Sequence, residues 1–415
     1  MAKVPTTPQI DRRTFLHRSS ALAGLGALGL SGCAKQVRTA AVPALPFYDA
    51  VGPIPPIRAH EDRIFRITVC LRPFRAAGPR LDAEWVGDKF VVHNYGHGGS
   101  GWSLSWGSGA VAVRKALVNG DKNIAVIGCG ALGLTSATLL QREGVRVTIY
   151  AKERPPFVRS SRATGSWTPD SRIALASAAS ASFPAQWESM ARASFAMYQS
   201  YLGMAGNPIE WTDRYALSDD EGVVPDRPRT APSGAEKLDF ARYQDRISDL
   251  TPGMQVLPPG SHPFPVPYVS RTSSLTFNVA DYSRQLLNDF LIAGGKIETQ
   301  EFHSPQDLAA LPQRTFINCT GYGARALWSD ESITPVRGQI AWLIPQEGLN
   351  YGLYYKNLNV LGRRDGIVIQ VSGQGEASGW NDTNEAPDLE EAHHGVRSLQ
   401  ALYQRMEAMP NNRRG

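Results

Sequence analysis

One stretch of the chain, residues 122–153, limits the possible folds more than any other. Its apolar run at 124–127 leads directly into the segment GCGALG at 128–133, which has the spacing G-x-G-x-x-G. A helical pattern follows and stops at Gly144, and a second apolar run occupies 145–150. Strand, tight turn, helix and strand in this order predict the βαβ unit that opens a dinucleotide-binding domain.

The glycines of this loop have separate roles in such a fold. Gly128 permits the tight turn, Gly130 lets the backbone approach a pyrophosphate, and Gly133 lets the helix pack closely on the strand. The free N–H groups of the helix N-terminus would face the phosphates. A lone G-x-G-x-x-G often marks only a tight turn, but its context here favours a dinucleotide site. The expected cofactor-binding residues are Gly128, Cys129, Gly130, Ala131, Leu132 and Gly133.

An acidic side chain that holds the ribose is expected after the second strand. Glu153 is the candidate at that point of the chain. The alternative is that Glu153 is a solvated surface charge.

The composition is that of a globular protein large enough for two domains. The chain has 415 residues, of which 42% are hydrophobic and 20% are charged. The net charge of +5 partly reflects basic termini. No interleaved basic and aromatic patch is present, so we expect no nucleic-acid partner.

The first 33 residues are typical of an export signal. Arg12 and Arg13 precede a mild Ala, Gly and Leu run at 21–30, which is too short to span a bilayer permanently. This arrangement resembles a twin-arginine signal, and LSGC at 30–33 resembles a lipobox. We therefore expect export to the periplasm or cell envelope and a lipid anchor at Cys33, with an accidental small-residue run as the alternative. The Ala- and Pro-rich segment 34–60 is predicted to be a tether.

Three further cysteines, Cys70, Cys129 and Cys319, occur without C-x-x-C or histidine spacing. We expect no metal site from them and predict that they are buried small side chains.

Two loops that precede the glycine-rich segment 128–133, the dinucleotide-binding fingerprint, carry candidate binding groups. A strand through Cys70 ends at Pro73, so that Arg72, Arg75 and Arg80 lie in a loop leaving a strand end. A second strand at 90–92 runs into the glycine-dense loop HNYGHGG and then into a helix predicted over 104–117. That helix N-terminus would stabilise a second anion, unless the loop is merely flexible.

The remaining patterns predict two helices at 183–202 and 282–291 and an amphipathic C-terminal helix over 389–406. Strands predicted at 209–217, 270–277 and 351–361 would form a second, antiparallel domain. A short buried strand at 316–321 ends in Thr320 and Gly321.

Four separated blocks carry a family resemblance. They are VIGCGALGL in the fingerprint, INCTG followed by RGQI at 337–340, RITVCLRPFRAAGPRL, and VVHNYGHGGSGWSLSWG. On these blocks, with weaker matches at ATGSWTP and SGWND, the chain resembles the FAD-dependent D-amino-acid oxidases over most of residues 63–400. The resemblance implies an α/β fold with an α+β second domain, in which a Rossmann-like FAD-binding domain accompanies an antiparallel-sheet substrate domain.

The order of the blocks differs from that of the family. The arginine loop and the HNYGHGG block close the family's chain but precede the fingerprint here, which we interpret as a circular permutation joined through residues 118–122. Residues 61–415 are then expected to form one oxidoreductase body. Its FAD-binding parts would be about 86–180 and 315–342, and its substrate-domain parts about 61–85, 181–280 and 343–400.

The resemblance also implies roles for single residues. Arg72 stands where the family's arginine clamps the substrate carboxylate, and a planar guanidinium suits that contact. Tyr354 or its neighbour Tyr355 falls near the first active-site tyrosine, whereas Leu358 replaces the second. The Gly99 carbonyl would bind the substrate amine. The alternatives are a surface ion pair for Arg72 and ordinary strand aromatics for the tyrosines.

The implied cofactor is FAD, and residues 101–103 would begin the helix that stabilises negative charge on it. Histidines 93 and 97 are expected to pack the loop rather than to act as bases. The cofactor-binding residues implied outside the fingerprint are Gly98, Gly99, Ser100, Gly101, Trp102, Ser103, Ser160, Ser161, Trp167, Thr320, Gly321 and, for the ribose, Glu153.

The resemblance implies oxidation of a D-amino acid to its imino acid, which is then hydrolysed to the 2-oxo acid. The electron acceptor would be oxygen or a membrane carrier such as a quinone, so the alternatives include an amine or amino-acid dehydrogenase. A non-catalytic FAD-binding exported protein is a further alternative, because the second tyrosine is missing.

Overall fold

Two β-sheets of different construction organise the computed structural model, which describes residues 54–221, 238–373 and 375–408. The export signal and most of the expected tether, residues 1–53, lie outside the described residues. Among the described residues, no helix has the length and apolar character needed to cross a membrane.

The first sheet has six strands and contains the fingerprint. All neighbouring strands pair in parallel except the first two, which are antiparallel. In sheet order the strands are β2 (Ala83–Val86), β3 (Lys89–His93), β10 (Thr315–Asn318), β4 (Asn123–Ile127), β5 (Arg146–Ala151) and β9 (Lys296–Thr299).

Four helices enclose the core around this sheet. Apolar side chains from all four form one cluster with the sheet, and Trp106 Nε1 donates to the Tyr282 hydroxyl at 2.7 Å inside it. The predicted helices are confirmed with shifted ends: the helix expected at 104–117 begins at Gly101, and the one expected at 282–291 begins at Val279. The helices are α1 (Gly101–Ala116), α2 (Ala131–Arg142), α3 (Phe183–Gln199) and α4 (Val279–Ile292).

The second sheet has eight strands and is antiparallel except for the pair β6 and β12. The C-terminal helix of the chain packs on strands β11 and β14 of this sheet through a buried apolar face. In sheet order the strands are β1 (Ile64–Arg75), β11 (Ile333–Leu343), β14 (Gly366–Val371), β13 (Leu358–Arg363), β12 (Tyr351–Tyr355), β6 (Ile209–Ser218), β8 (Tyr268–Phe277) and β7 (Gln255–Leu257). The helices after β10 are the short α5 (Ala324–Leu327) and the C-terminal α6 (Leu389–Glu407).

Several sequence expectations differ from this arrangement. The single strand expected over 351–361 is a hairpin of β12 and β13, because Lys356 takes a left-handed backbone conformation with φ 52°. Strand β11 belongs to the eight-stranded sheet although most of it was assigned to the FAD-binding part, and β2 belongs to the six-stranded sheet although it was assigned to the substrate part. Helix α3, assigned to the substrate part, packs on α1.

The end of the expected tether is part of the fold. Ile57 and Ala59 are buried in the same apolar cluster as Tyr403 and Met406 of α6. The Tyr351 hydroxyl donates to the Pro55 carbonyl at 2.9 Å. Residues 54–60 are therefore not a free linker, because their apolar side chains find a buried surface on α6.

Candidate functional site

A cavity with a volume of about 1040 Å³ lies between the carboxyl ends of the parallel strands and one face of the eight-stranded sheet. Open α/β sheets bind their ligands beyond the carboxyl ends of the strands. The loops that follow β4, β5 and β10 line one side, and side chains from β1, β6, β12 and β14 line the other. Residues from both sheets thus face one ligand space.

The fingerprint loop forms the wall next to the N-terminus of α2. Gly128, Cys129, Gly130, Ala131 and Leu132 all line the cavity. The N-cap residue Gly130 has no side chain to cap the helix, and of the first-turn N–H groups that of Ala131 donates to Ser160 Oγ at 3.1 Å. The uncapped N–H groups of the first turn are therefore open to an anion.

Gly133 lies behind this wall. A methyl group at this position would overlap the carbonyl oxygen of Gly128. Its role is therefore to let α2 approach the end of β4, as the spacing predicts, rather than to contact a ligand.

The second glycine loop meets the fingerprint loop at the same cavity. Gly98, Gly99, Gly101 and Trp102 line it together with residues 128–132. The Trp102 Nε1 donates to the Ser160 carbonyl at 2.8 Å, which joins the start of α1 to the loop after β5. Segment 63–117 therefore folds into one body with the fingerprint, as the block order predicts.

Of the other residues expected to bind the cofactor, some line the cavity and some only hold the lining in place. Glu153, Ser160, Thr320 and Gly321 line the cavity. The supporting residues lie outside its lining: Ser100 Oγ donates to the Ser171 carbonyl at 3.0 Å, Ser103 Oγ accepts from the Thr168 N–H at 2.8 Å, and Ser161 and Trp167 stand behind the wall.

The residues fit a dinucleotide on structural grounds. The N-terminus of α2 faces the cavity and could hold a pyrophosphate, and Glu153 stands two residues after β5 at the cavity wall. Cationic side chains outnumber acidic ones in the lining, seven to three, so the cavity attracts anions. They are Arg72, Lys152, Arg159, Arg162, Arg172, Arg214 and Lys356 against Glu153, Glu301 and Glu376.

Arg72 lies half-buried in the cavity wall, and it belongs to β1 rather than to a following loop as the sequence predicted, because the pairing of β1 with β11 continues through Pro73 to Arg75. Its Nη1 donates to the Arg337 carbonyl at 3.2 Å and to the Val336 carbonyl at 3.5 Å. Burial lowers the pKa of Arg72 from its usual value, but an arginine side chain in a protein keeps its proton at neutral pH. Among the described residues no carboxylate lies within ion-pair distance of Arg72, so the alternative of a surface ion pair is wrong.

The backbone beside Arg72 leaves space for this arrangement. A methyl group at Gly338 would overlap the Arg72 guanidinium. Gly338 pairs with Cys70 in the β1–β11 register, so the arginine lies over the neighbouring strand.

The two candidate tyrosines face opposite sides of β12, as successive strand residues do. Tyr354 is half-buried and lines the cavity, as does Leu358. The Tyr355 hydroxyl donates to Asp219 at 2.7 Å and accepts from Arg405 at 2.9 Å, outside the cavity. Of the two alternatives, only Tyr354 can contact a ligand there, and the choice of Tyr355 is corrected.

Both loop histidines are packed inside the protein. His93 bonds to Glu84 at 2.8 Å and to Asn318 at 3.1 Å, and burial is the main cause that lowers the pKa of His93. His97 lines the cavity, and burial lowers the pKa of its ring to about 3, so the ring is neutral at physiological pH.

The described cysteines carry no disulfide. Cys129 and Cys319 are buried, and burial raises the pKa of each thiol to about 12. Cys70 differs from the prediction, because it is only partly buried and lines the cavity. Within the described ranges no group of three or more His, Cys, Asp or Glu side chains could hold a metal ion.

Arg214 of β6 is a cavity residue that the sequence reasoning missed. It is 6% exposed, and its guanidinium lies 5.3 Å from the centre of the Tyr354 ring. A signal was present: the alternate residues Thr212, Arg214, Ala216 and Ser218 form a row with little apolar character within an otherwise apolar strand.

The family model described as "FAD dependent oxidoreductase" matches residues 123–412. Two curated relatives are D-amino-acid oxidases: one from Rubrobacter xylanophilus, 28% identical over 228 residues, and one from Streptomyces coelicolor, 27% identical over 226 residues. These alignments cover 52% and 53% of this chain but only 57% and 58% of the relatives.

Among solved structures, the L-amino acid deaminase of Proteus vulgaris, with its specific insertion sequence deleted, superposes with a TM-score of 0.44 at 13% identity. The superposition covers 69% of this chain and 76% of that one.

Proposed function

The chain belongs to the FAD-dependent oxidoreductase family, and from this premise we propose that it oxidises a D-amino acid to its imino acid, which water then converts to the 2-oxo acid. Membership of the family implies FAD as the cofactor. The substrate and its configuration are our proposal, supported by the D-amino-acid oxidases among the relatives.

One observation carries the proposal: Arg72 shares a cavity with both glycine loops and has no carboxylate partner among the described residues. Its contacts are two backbone carbonyls, which leave the rest of the planar fork able to hold a substrate carboxylate by paired charge-assisted bonds. An amino acid held in this way lies in the same space as the dinucleotide-binding loops.

The other residues of the wall then have defined roles. The α2 N-terminus would hold the pyrophosphate, and Glu153 would accept hydrogen bonds from the ribose. The Gly99 N–H donates to the Ser171 carbonyl at 3.0 Å, so the backbone group that Gly99 can offer a substrate amine is its carbonyl. Tyr354 and Leu358 would contact the substrate on the side of the eight-stranded sheet.

Bound FAD supplies the two-electron acceptor for this oxidation. We assign position and electrostatics to the chain, and His97 in the cavity wall is neutral because burial lowers its pKa to about 3. The positive end of α1, at Gly101 and Trp102, would stabilise negative charge at the cavity wall.

The acceptor that reoxidises the cofactor is proposed to be oxygen or a membrane carrier. We further propose, from Arg12, Arg13 and Cys33, that the protein is exported and lipid-anchored. A non-catalytic FAD-binding protein is the second candidate, and it is favoured by Leu358, which supplies no hydroxyl at the position of the second tyrosine.

The test uses the purified holoprotein without residues 1–33. Under anaerobic conditions, mixed D-amino acids should bleach the flavin absorbance, whereas mixed L-amino acids should not. Bleaching by the L set alone would reverse the proposed configuration, and no bleaching by either set would favour the non-catalytic candidate. Readmission of oxygen, or addition of a quinone, then identifies the acceptor by which one restores the absorbance.

A further inference from the structure

Arg214 and Arg72 reach the cavity from distant strands of the eight-stranded sheet. Arg214 lies on β6, the sixth strand, whereas Arg72 lies on β1, the first. Arg214 is 6% exposed and lines the same cavity. Arg214 is therefore a buried cation in the cavity that has no part in the proposed contact between Arg72 and the substrate α-carboxylate.

All contacts of Arg214 within the described residues are with neutral groups. Its Nη1 donates to Ser166 Oγ at 2.6 Å, its Nη2 to Asn359 Oδ1 at 3.5 Å, and its guanidinium lies 5.3 Å from the centre of the Tyr354 ring. Its Nε has no hydrogen-bond partner within the described ranges.

Nearby carboxylates do not neutralise this charge. The adjacent Asp213 belongs to the other face of β6, where its oxygens contact Ser273 at 2.5 Å and Arg271 at 3.8 Å. A buried charge without a counter-charge is costly, and an anion that arrives with a ligand would offset that cost.

We infer that Arg214 binds a second anionic group on the substrate, namely a carboxylate at the end of its side chain. The inference rests on the proposed function, in which Arg72 holds the α-carboxylate. It names the substrate class as amino acids with an acidic side chain. Ser166 and Asn359 would keep the guanidinium in place, and Tyr354 would stack against it.

The order of strands in the sheet favours a substrate with a long side chain. Five strand spacings of about 4.8 Å separate the backbones of β1 and β6, and both arginine side chains extend towards the cavity between them. The two carboxylates of the substrate must therefore be several bonds apart. Glutamate meets this need better than aspartate.

The first measurement compares isosteric substrates with the holoprotein. The ratio of kcat/KM for D-glutamate to that for D-glutamine should be at least about 30, because only the acid offers Arg214 a charged partner. In Arg214→Met the ratio should fall to about 1. Arg271→Met is the matched control: it removes the same charge from the neighbouring strand outside the cavity, and it should keep the parent's ratio.

The second measurement does not need turnover. Glutarate and butyrate are titrated into the holoprotein while the flavin absorbance is recorded. Glutarate should bind at least about 30-fold more tightly than butyrate to the parent, and this difference should vanish in Arg214→Met. Arg214→Met is used only if it retains the flavin spectrum; a glutarate-to-butyrate ratio near 1 in the parent overturns the inference without any variant.

The outcomes separate the two hypotheses. Equal use of D-glutamate and D-glutamine, or equal binding of glutarate and butyrate by the parent, overturns the inference and leaves the proposed oxidation standing. Selective glutarate binding without flavin reduction by either amino acid supports the Arg214 site and overturns the proposed oxidation.

Discussion

The guanidinium of Arg397 lies 2.7 Å from the carboxylate of Glu61, although 336 residues separate them in the chain. Beside this pair, Gln400 Nε2 lies 3.0 Å from His60 Nδ1. The segment that leads into β1 therefore runs against α6, the last helix of the described chain. This proximity is what a connection between α6 and β1 would require, and it supports our interpretation of the block order as a circular permutation.

A relinked chain tests that interpretation. The variant starts at Asp121, runs to Ala408, continues through a short Gly/Ser linker and ends with residues 54–120. We expect it to bind FAD and to melt within a few degrees of the parent, because the cut falls at the exposed Gly120 and the joined ends already lie near each other. Flavin content and thermal unfolding are the measurements. An insoluble or flavin-free product would contradict the permutation.

Substitution of Arg72 should separate substrate binding from cofactor binding. Removal of a hydrogen-bonded charged partner costs on the order of 2 to 5 kcal/mol, so Arg72→Leu should weaken the binding of D-amino acids and benzoate roughly 30-fold to several thousand-fold. FAD content should stay at the parent's level, because the pyrophosphate site is on α2. Arg72→Lys should be intermediate. If Arg72→Leu reduced its flavin as readily as the parent, Arg75 or Arg80 would have to be examined instead.

Gly133 should not tolerate a side chain. Gly133→Ala places a methyl group against the Gly128 carbonyl oxygen, so we expect a loss of about 1 to 3 kcal/mol in stability and reduced FAD content. Gly253→Ala is the control, because open space surrounds that glycine. The melting temperature and the ratio of flavin to protein absorbance measure both effects, and equal values for the two variants would refute the role assigned to Gly133.

The buried His97 should make the protein less stable in acid. Its pKa is about 3 in the folded protein against 6.5 for the ordinary side chain, so between these values the unfolded chain binds a proton that the folded protein does not. Stability is therefore fully present above pH 6.5 and falls as the pH drops towards 3. From pH 7 to pH 5, urea unfolding should show about 2 kcal/mol more loss for the parent than for His97→Asn. Equal losses would mean that His97 is not buried as a neutral ring.

The export signal can be tested in the cell. Arg12→Lys combined with Arg13→Lys should keep the protein in the cytoplasm, because the twin arginines are the feature of this type of signal. Cys33→Ala should release exported protein in soluble form, as judged by fractionation. Retention of the Cys33→Ala protein in the membrane fraction at high salt would exclude the lipid anchor.

Local patterns predicted the parts of the fold that depend on local chemistry. The turn at 128–133 follows from glycine spacing, and α6 follows from its apolar periodicity. The hairpin between β12 and β13 was missed because Lys356 adopts a left-handed backbone without glycine. The burial of Ile57 was missed because it depends on a surface of α6 far along the chain.

The site shows the same division. Arg72 could be identified from the sequence because a block that matches the family surrounds it. The side of β12 that faces the cavity could not be identified, because strand register follows from pairing across the sheet. Arg214 illustrates this limit: its strand pairs in parallel with β12 at one edge and antiparallel with β8 at the other. Only that pairing brings the Arg214 guanidinium over Tyr354.

The position of β10 has a consequence for how the protein is made. This strand lies between β3 and β4 in the six-stranded sheet, yet it follows them late in the chain: 225 residues separate His93 from Asn318. On the ribosome, both glycine loops emerge long before the strand that must join them. FAD capture therefore comes late in synthesis, and until then the open edges of β3 and β4 are exposed to pairing with other chains. The nascent chain is thus most exposed to such pairing between the emergence of β4 and that of β10.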